Sequence, residues 1–588
     1  MVAPENDLSR VPGEANDSLR IRARAYSLSL SDDSLFLLVD DADGRRWADI
    51  FLGGTVDRRG DSDALTAVGR PRLSQGAGGP RLTVPLASCS WSAVQLVVDC
   101  FDEGFQACLE IEGQGDITDC RLFGGYFSGD VERGIGFYRS AQRFRTIFNP
   151  EPSELERRCA PADTPAAVDV VGTSLPGMRH WFFTPPPFCF GAALEPPTGE
   201  AGGLPDGPWL TIGLAALPGE QRFTSFGFDP VEDGFSLRLA YEGHQRVEGS
   251  WRSPAVTFLF GAADPYAGIR QYTQWLETLA LVPPALQRIR PGWWRRPIFC
   301  GWGAQSHLGL LNQLPADRFA TQQHYDDFLA HLTAQGLTPG TIIIDDRWQA
   351  AYGTGEVDRD KWPDLRAWIA ARHGAGQRVL LWWKAWDPEG LDPDLTVRDA
   401  SGRPVAADPS NPAYEQQLRE TVRRLLGDDG FDADGFKIDF TARTPSGPRL
   451  VHHGHLWGVE LLHRLLAIIY SESKRVKPDA LIITHTPNPY FRAVTDMIRL
   501  NDVNTGQAVL PQMWHRARVA QAACPDLLID SDNWQMPDRA TWRSYLAVQG
   551  QIGVPSLYYA THVDLSRESF EEGDYAAIAE AWKAAESP

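Results

Sequence analysis

The second half of the chain alternates short apolar runs with helical segments. From about residue 290, eight runs of strand character are separated by longer stretches with helical spacing, such as 414–429 and 457–476. The eight runs are 297–303, 340–348, 378–386, 435–440, 480–486, 497–503, 525–534 and 554–562. Parallel strands need helical crossover connections, so eight such units predict a (β/α)8 TIM barrel.

The first half follows a different pattern. Residues 20 to about 262 contain many short, alternating runs broken by Gly, Pro, Asp and Ser, which is typical of an all-β sandwich. The segment 263–281 has helical spacing and joins the two halves. We therefore predict a multidomain α/β plus all-β chain. Its parts are an N-terminal β-sandwich (1–262), a helical linker (263–289) and a (β/α)8 barrel (290–588).

Polar and aromatic residues collect at the ends of the predicted barrel strands. In each run the apolar part comes first and the polar part follows. These terminal residues include Trp302, Asp345, Asp346, Lys384, Asp439, His485, Asp502, Asp530, Asp532 and His562. Barrel enzymes build their active sites at this carboxyl-terminal face, so we expect the site there.

Composition and motifs exclude several kinds of function. The chain has 56 Lys and Arg against 76 Asp and Glu, a net charge of −20, which argues against nucleic acid or an anionic membrane as partner. No nucleotide-binding glycine motif, H-E-x-x-H motif or nucleophile elbow occurs. We expect no cofactor and no metal, with Mg²⁺ or Ca²⁺ as the alternative.

The cysteines and the first residues predict a location. None of the eight cysteines forms a C-x-x-C pair, so we interpret them as reduced thiols. The first 19 residues lack the apolar core of a secretory signal, and no apolar run is long enough to span a membrane. We therefore expect a cytoplasmic protein.

Paired carboxylates remain as the chemistry that the sequence favours. In a barrel their best known work is glycoside hydrolysis, in which one attacks the sugar and the other protonates the leaving oxygen. Lys437 and Asp439, in "DGFKIDF", alternate with apolar residues and so share one face of a strand. The lysine would lower the pKa of a nucleophilic Asp439 or bind a sugar hydroxyl. The alternative is a structural ion pair in the barrel core.

These residues resemble a known clan of retaining α-glycosidases. "DGFKIDF" resembles the nucleophile strand of glycoside hydrolase families 27, 31 and 36, whose motif is Lys, any residue, Asp. "IIIDDRW" resembles their second strand, where an acidic pair binds sugar hydroxyls, and "IRLNDVNT" resembles the acid/base strand of family 36. Overall the chain is most similar to family 36, whose members include α-galactosidases.

The resemblance implies the catalytic roles. Asp439 would be the nucleophile and Asp502, on the sixth strand, the general acid/base. Asp532 in "DSDNW" is similar to a family 31 motif and is the alternative acid/base; otherwise it would bind substrate. Arg499 lies three residues before Asp502, so alternation predicts that it faces the opposite side of its strand, unless it binds substrate from the loop.

The other predicted contacts are with the substrate. Asp345, Asp346, Lys437, Lys384 and His485 would hold sugar hydroxyls, and Trp302, Trp348 and Trp382 would wall the sugar site. We therefore expect a retaining exo-α-glycosidase of the α-galactosidase type that acts on an oligosaccharide or glycoside. The alternatives are specificity for α-glucose, α-xylose or another sugar, a transglycosylase, and a non-catalytic sugar-binding protein. Enzymes of this clan are often oligomers, so a homo-oligomer is compatible with the resemblance.

Overall fold

Eight parallel strands form a barrel-like sheet at the centre of the C-terminal half. The computed structural model describes residues 19–128, 136–150, 157–158, 183–199, 203–231, 233–285 and 290–586. In chain order the strands are Ile298–Cys300, Thr341–Ile344, Arg378–Lys384, Gly435–Asp439, Leu481–Thr484, Met497–Arg499, Leu528–Asp530 and Ser556–Leu557. Neighbours in the chain are neighbours in the sheet, the first strand also pairs with the eighth, and a parallel bridge between Asp530 and Val554 joins the seventh to the eighth. The predicted barrel of eight parallel strands is confirmed.

Helices connect these strands on the outside. The α-helices are α1 (Pro265–Thr278), α2 (Trp302–Asn312), α3 (Gln322–Ala334), α4 (Leu365–Gly374), α5 (Pro412–Leu426), α6 (Gly458–Val476), α7 (Val509–Ala523), α8 (Arg539–Ile552) and α9 (Glu572–Glu586). Only a 3₁₀ helix, Pro489–Val494, follows the fifth strand, where we expected an α-helix. No helix in the described part of the chain is long and apolar enough to cross a bilayer.

The remaining short elements of the barrel half lie in its loops. Four more 3₁₀ helices are Gly292–Arg295, Ala316–Phe319, Pro393–Leu395 and Thr441–Arg443. Two small hairpins pair Gln349–Ala351 with Glu356–Val357 and Thr396–Arg398 with Pro404–Ala407.

Helix α5 shows how the sequence forms these elements. Asn411 caps it through a hydrogen bond from the Ala413 amide, and Pro412 occupies the first turn, where its missing N–H is not needed. Tyr414, Leu418 and Val422 recur every four residues and are buried on one face. Helix α5 packs beside α6, and the two strands that it connects, the third and the fourth, are largely buried.

The N-terminal half is rich in strands that pair almost entirely antiparallel. The strands in its described part are Arg20–Arg22, Tyr26–Leu30, Phe36–Asp41, Arg46–Phe51, Gly54–Arg58, Leu65–Val68, Arg72–Gln75, Pro80–Ser88, Ala93–Cys100, Gly104–Leu122, Gly124–Phe127, Gly136–Gln142, Thr146–Phe148, Arg157–Arg158, Cys189–Ala193, Trp209–Ala215, Ser225–Val231, Gly234–Arg252 and Ala255–Ala262. The two longest, Gly104–Leu122 and Gly234–Arg252, pair with each other. The sandwich arrangement and the domain boundaries stay predictions, and α1 lies within the predicted linker.

The N-terminal half touches the barrel loops that follow the fourth and fifth strands. Glu242 accepts hydrogen bonds from the Ser446 hydroxyl, the Gly447 amide and the Trp457 indole. The Thr184 amide donates to the carbonyl of His485. The strand-rich region therefore holds the loops that border the carboxyl-terminal face of the barrel.

Helices α5 and α6 are joined by a buried carboxylate whose contribution can be measured. Glu472 on α6 accepts from Arg475 on its own helix and from Arg423 (2.6 Å) and Arg419 (3.2 Å) on α5. Burial raises the pKa of Glu472, but hydrogen bonds from these three arginines outweigh it and hold the pKa at about 2. Because the pKa of Glu472 is lowered in the folded protein, its ionised carboxylate stabilises the fold at pH values above the ordinary pKa of 4.5. This stabilisation is lost as the pH falls toward 2.

We expect Glu472→Gln to reduce the free energy of unfolding at pH 7 by roughly 1.5–3 kcal/mol, because the arginines lose a charged acceptor. Urea unfolding at pH 7 and at pH 3 would measure this, and the difference should be smaller at pH 3. Glu420→Gln, at an exposed position on α5, is the control and should change little. An equal effect of both variants would contradict the assignment.

Candidate active site

Charged side chains meet at the carboxyl-terminal rim of the barrel. Asp439 ends the fourth strand, Arg499 ends the sixth and Asp530 ends the seventh. Asp345 directly follows the second strand, and His485 directly follows the fifth. The expected collection of polar groups at this face is therefore present.

Arg499 is the centre of this cluster. Its guanidinium donates to Asp439 Oδ1 at 3.1 Å, to Asp502 Oδ1 at 3.0 Å and to Asp532 Oδ2 at 2.8 Å. The arginine is buried, with 1% of its surface exposed. One buried cation thus joins three carboxylates, including both predicted catalytic groups.

The expectation that Arg499 and Asp502 face opposite sides was wrong. It assumed that the strand continues to residue 502, but the sixth strand ends at Arg499. Asn501 has a left-handed backbone (φ 66°), which turns the chain after the strand. The Asp502 side chain therefore returns to the guanidinium of Arg499.

Asp439 has the environment of an ionised carboxylate. Oδ1 accepts from the Phe440 amide at 2.8 Å as well as from Arg499, and Oδ2 accepts from the Trp382 indole at 3.2 Å. Burial raises its pKa, but the positive charge of Arg499 lowers it well below the ordinary value, with a smaller contribution from Lys437. The sequence had suggested Lys437, on the same strand, as the cause of this shift. Arg499 lowers the pKa of Asp439 more than Lys437 does.

The pKa of Asp502 is shifted in the opposite direction, upward. Burial, and then the negative charges of Asp439 and Asp532, outweigh Arg499 and raise the pKa of Asp502 to about 6. Its side chain is still 32% exposed, more than the 22% of Asp439. Asp502 can thus hold a proton near neutral pH and reach a ligand.

Asp532 is enclosed on all sides. Besides Arg499, it accepts from the Trp534 amide at 2.9 Å and from the Tyr558 hydroxyl at 3.2 Å, and its side chain has no exposed surface. Of the two candidate acid/base residues, only Asp502 presents surface to the site. Asp532 instead fixes Arg499 from behind.

Lys437 pairs with Asp345 in the barrel interior. The Nζ–Oδ2 distance is 2.7 Å, and both side chains are 3% exposed. The Cys300 thiol donates to the same carboxylate oxygen at 2.9 Å. Both residues were predicted to hold sugar hydroxyls; in this structure they form a buried ion pair with each other, whereas the alternative interpretation had paired Lys437 with Asp439.

Asp346 and Lys384 are the predicted hydroxyl-binding residues that retain exposed surface. Asp346 accepts from the Tyr352 hydroxyl at 2.7 Å, and burial, opposed by that hydrogen bond, raises its pKa to about 7. Lys384 pairs with Asp387 at 2.8 Å, and its Nζ lies 3.9 Å from the centre of the Tyr352 ring. The sequence analysis missed Tyr352, because it lies in a loop where no strand pattern indicates its direction.

The three predicted tryptophans differ in position. Trp302 is half-buried and meets Trp534 edge to face, with ring centres 5.8 Å apart. Trp382 is 1% exposed but holds Asp439 through its indole. Trp348 has no exposed surface and donates to the carbonyl of Trp382, so it supports that residue from behind and does not wall the site.

His485 is buried behind Asp439. The hydroxyl of Thr441 donates its single proton to the carbonyl of Thr184, because a carbonyl can only accept. The same hydroxyl therefore accepts a hydrogen bond from His485 Nε2, at 2.7 Å. Nδ1 then carries the lone pair and lies 3.9 Å from Asp439 Oδ1. Burial, with Arg499 and Lys437, lowers the pKa of His485 to about 3 despite Asp439. The role of Thr184 was not predictable, because it belongs to the other half of the chain.

The arrangement of possible ligand side chains bears on metal binding. The described residues contain no group of three or more His, Cys, Asp or Glu side chains arranged to hold a metal ion. The carboxylates at the rim instead have cationic or hydrogen-bonding protein partners.

Comparison by sequence finds no similar protein. No protein-family model matches the chain. No curated protein matches it either.

Comparison by structure finds glycosidases of low sequence identity. An α-galactosidase from Thermus thermophilus, bound to stachyose, has a TM-score of 0.51 at 14% identity over 87% of this chain and 99% of its own. A family 31 sulfoquinovosidase from E. rectale with an aza-sugar inhibitor has a TM-score of 0.55 at 10% identity, over 96% and 82%. A family 36 α-galactosidase from Geobacillus stearothermophilus with 1-deoxygalactonojirimycin has a TM-score of 0.51 at 13% identity, over 97% and 86%.

These likenesses concern the fold. Two of the three solved structures belong to families 31 and 36, so the fold agrees with the resemblance to these two families that the motifs indicated.

The contrasting pKa values of the two carboxylates predict opposite effects on stability. A raised acid pKa makes the fold less stable as the pH rises from about 4 to about 6, so Asp502→Asn should stabilise the protein more at pH 7.5 than at pH 4. The lowered pKa of Asp439 stabilises the fold at neutral pH, so Asp439→Asn should destabilise it there. Urea unfolding at pH 7.5 and pH 4 would measure both, and the gain from Asp502→Asn should nearly vanish at pH 4. A loss of stability in both variants at pH 7.5 would contradict the assignment.

Proposed function

We propose that the protein is a retaining exo-α-glycosidase of the α-galactosidase type, which hydrolyses terminal α-linked sugars by double displacement. The observation that carries this proposal is the pair Asp439 and Asp502 on the single guanidinium of Arg499. A retaining mechanism needs two carboxyl groups roughly 5–5.5 Å apart, one ionised and one protonated. An arginine bonded to both is of the size to bridge that distance, and the two pKa shifts have the required signs.

In the first step Asp439 attacks the anomeric carbon. Oδ1 is held by Arg499 and the Phe440 amide, whereas Oδ2 has the single hydrogen bond from Trp382, so Oδ2 is the freer oxygen for attack. Asp502 donates its proton to the departing oxygen, and a covalent glycosyl-enzyme forms.

In the second step Asp502, now ionised, removes a proton from water. The water attacks the anomeric carbon and restores Asp439, so the configuration of the sugar is retained. Arg499 stays hydrogen-bonded to the carboxylates throughout and stabilises whichever one carries the negative charge.

The sugar would lie against the exposed groups of the rim. Asp346 accepts and Lys384 donates to hydroxyl groups, and Trp302 offers an aromatic surface. Lys437, Asp345, His485, Arg499 and Asp532 act from behind these groups by fixing their positions. This division differs from the sequence prediction, in which Lys437, Asp345 and His485 contacted the sugar.

Galactose is the sugar that we propose. The solved structures of similar fold include two α-galactosidases, one of them bound to stachyose. The sulfoquinovosidase of similar fold makes a modified hexose the second candidate.

The proposal extends to the whole chain. Its parts are an N-terminal β-sandwich (1–262), a linker (263–289) and a catalytic barrel (290–588) in a cytoplasmic protein, and a homo-oligomer is compatible with the resemblance.

A panel of 4-nitrophenyl α- and β-glycosides of galactose, glucose, xylose, N-acetylgalactosamine and sulfoquinovose tests the function. We expect release from an α-glycoside only. Release from β-glycosides alone, or from none of the panel, would overturn the proposal.

Azide rescue of alanine variants tests the two catalytic roles. In Asp439→Ala we expect no turnover, and azide should take the place of the nucleophile and give a β-glycosyl azide. In Asp502→Ala the hydrolysis of substrates with poor leaving groups should fall by about 10²–10⁴-fold, with nitrophenyl glycosides affected less. Azide should then give the α-glycosyl azide from the glycosyl-enzyme. If Asp532→Ala, and not Asp502→Ala, gave this product, Asp532 would be the acid/base.

The pH dependence of kcat/KM tests the two pKa shifts. Activity requires ionised Asp439 and protonated Asp502, so kcat/KM should decline above about pH 6 and stay high down to well below pH 4. Arg499→Gln should raise the pKa of Asp439 and shift the acidic limb upward. Arg492→Gln, at a buried arginine paired with Glu277, is the control and should leave the profile unchanged. A profile that rises continuously to pH 9 would contradict Asp502 as the acid.

A further inference from the structure

The backbone segment that carries Asp502 has no regular secondary structure. The sixth strand ends at Arg499, and helix α7 begins only at Val509. Residues 500–504, all within the described part of the chain, belong to no helix or strand, and the chain turns at Asn501 with a left-handed backbone. We call these five residues the acid/base loop. The position of the Asp502 carboxyl therefore depends on the groups that hold this loop.

Arg516, on α7, binds three successive carbonyl groups of the acid/base loop. Its Nη1 donates to the carbonyl oxygens of Leu500 at 3.0 Å, Asn501 at 2.9 Å and Asp502 at 2.7 Å. The side chain of Arg516 is completely buried. The turn at Asn501 brings these three carbonyl groups around one guanidinium, so Arg516 fixes the backbone of Asp502 itself.

Gln512, one turn before Arg516 on the same helix, binds the far end of the loop. Its Oε1 accepts from the Asn504 amide at 2.9 Å, and its Nε2 donates to the Asn504 carbonyl at 2.8 Å. Oε1 also accepts from Nη2 of Arg516 at 3.1 Å, so the two side chains fix each other. Gln512 is completely buried as well, and residues four apart lie on one face of a helix. One face of α7 therefore holds both ends of the acid/base loop.

The segment at the end of the seventh strand holds the loop from the other side. The Leu500 amide donates to the Asp530 carbonyl at 3.0 Å, and the Val503 amide donates to the Trp534 carbonyl at 2.7 Å. The acid/base loop thus lies between this segment and α7. The side chain of Asp502 is 32% exposed, so the backbone beneath it, together with the guanidinium described above, sets where its carboxyl lies.

We propose that Arg516 and Gln512 are positioning residues for the general acid, which hold the acid/base loop so that Asp502 reaches the oxygen of the leaving group. The inference rests on the proposed function and adds two residues that lie outside the rim. Burying a guanidinium costs free energy, and here its hydrogen bonds to the loop offset that cost. A misplacement of about 1 Å in a reacting group lowers a rate by about 10²-fold, so the hold on this loop bears directly on the proton transfer.

The dependence of kcat/KM on the leaving group tests this inference. The substrates are the 4-nitrophenyl, phenyl and methyl α-glycosides of the sugar that the nitrophenyl panel identifies. Arg516→Met removes the donors and keeps the length of the side chain. We expect it to lower kcat/KM by about 10–10²-fold for the phenyl and methyl glycosides, whose leaving groups need a proton. The 4-nitrophenyl glycoside should lose far less, because 4-nitrophenolate departs without one. Arg516→Lys, which keeps a donor, should lie between Arg516→Met and the wild-type protein.

A second variant and two controls complete the experiment. Gln512→Ala releases the other end of the loop and should show the same dependence on the leaving group, also if Arg516→Met does not fold. Arg492→Met is the control for the arginine, since Arg492 is buried and pairs with Glu277. Gln377→Ala is the control for the glutamine, since Gln377 is buried and donates to a backbone carbonyl just before the third strand. Both controls should keep the wild-type dependence.

The outcomes separate the inference from its premise. If the wild-type protein hydrolyses no glycoside of the panel, the proposed function fails and the inference fails with it. If the wild-type protein is active and the Arg516 and Gln512 variants lower kcat/KM equally for all three leaving groups, the two residues only maintain the fold, and the inference alone fails. Unchanged kcat/KM for all three substrates in a folded variant, or the same dependence on the leaving group in both controls, would also overturn it.

Discussion

The site depends on one buried arginine shared by three carboxylates. Arg499 could not be buried without its negative partners, and Asp532 could not be enclosed without a cation beside it. The same guanidinium contacts both partly exposed carboxylates, Asp439 and Asp502, yet their pKa values shift in opposite directions. It holds Asp439 ionised, whereas Asp502, placed beside two other carboxylates, holds its proton to about pH 6. Two residues of one chemical type thus acquire different roles because their neighbours differ.

The residues that support the site come from both halves of the chain. The Lys437–Asp345 pair fills the barrel interior below the site, and Trp348 supports Trp382 from behind. On the other side, Thr184 joins Thr441 and His485 to the N-terminal half. The loops that carry the candidate catalytic groups are therefore positioned by contacts that the barrel alone would not supply.

The two sides of the rim differ in chemistry. Asp346, Lys384 and Tyr352 lie after the second and third strands and offer hydrogen bonds to a sugar. The loops after the seventh, eighth and first strands offer indole and imidazole rings.

The sequence by itself determined the barrel, the strand that carries Asp439 and the carboxyl-terminal location of the polar residues. Those features follow from local periodicity, which a chain expresses over five to ten residues. It also pointed to Asp439 and Asp502 as candidate catalytic groups, through short motifs at the end of the fourth strand and just after the sixth. Only the tertiary structure decided that Lys437 pairs with Asp345, that Arg499 turns toward Asp502, and that Asp532 is enclosed. These three features depend on which strands become neighbours when the barrel closes and on the residue at which a strand ends. The periodicity of a single segment contains neither kind of information.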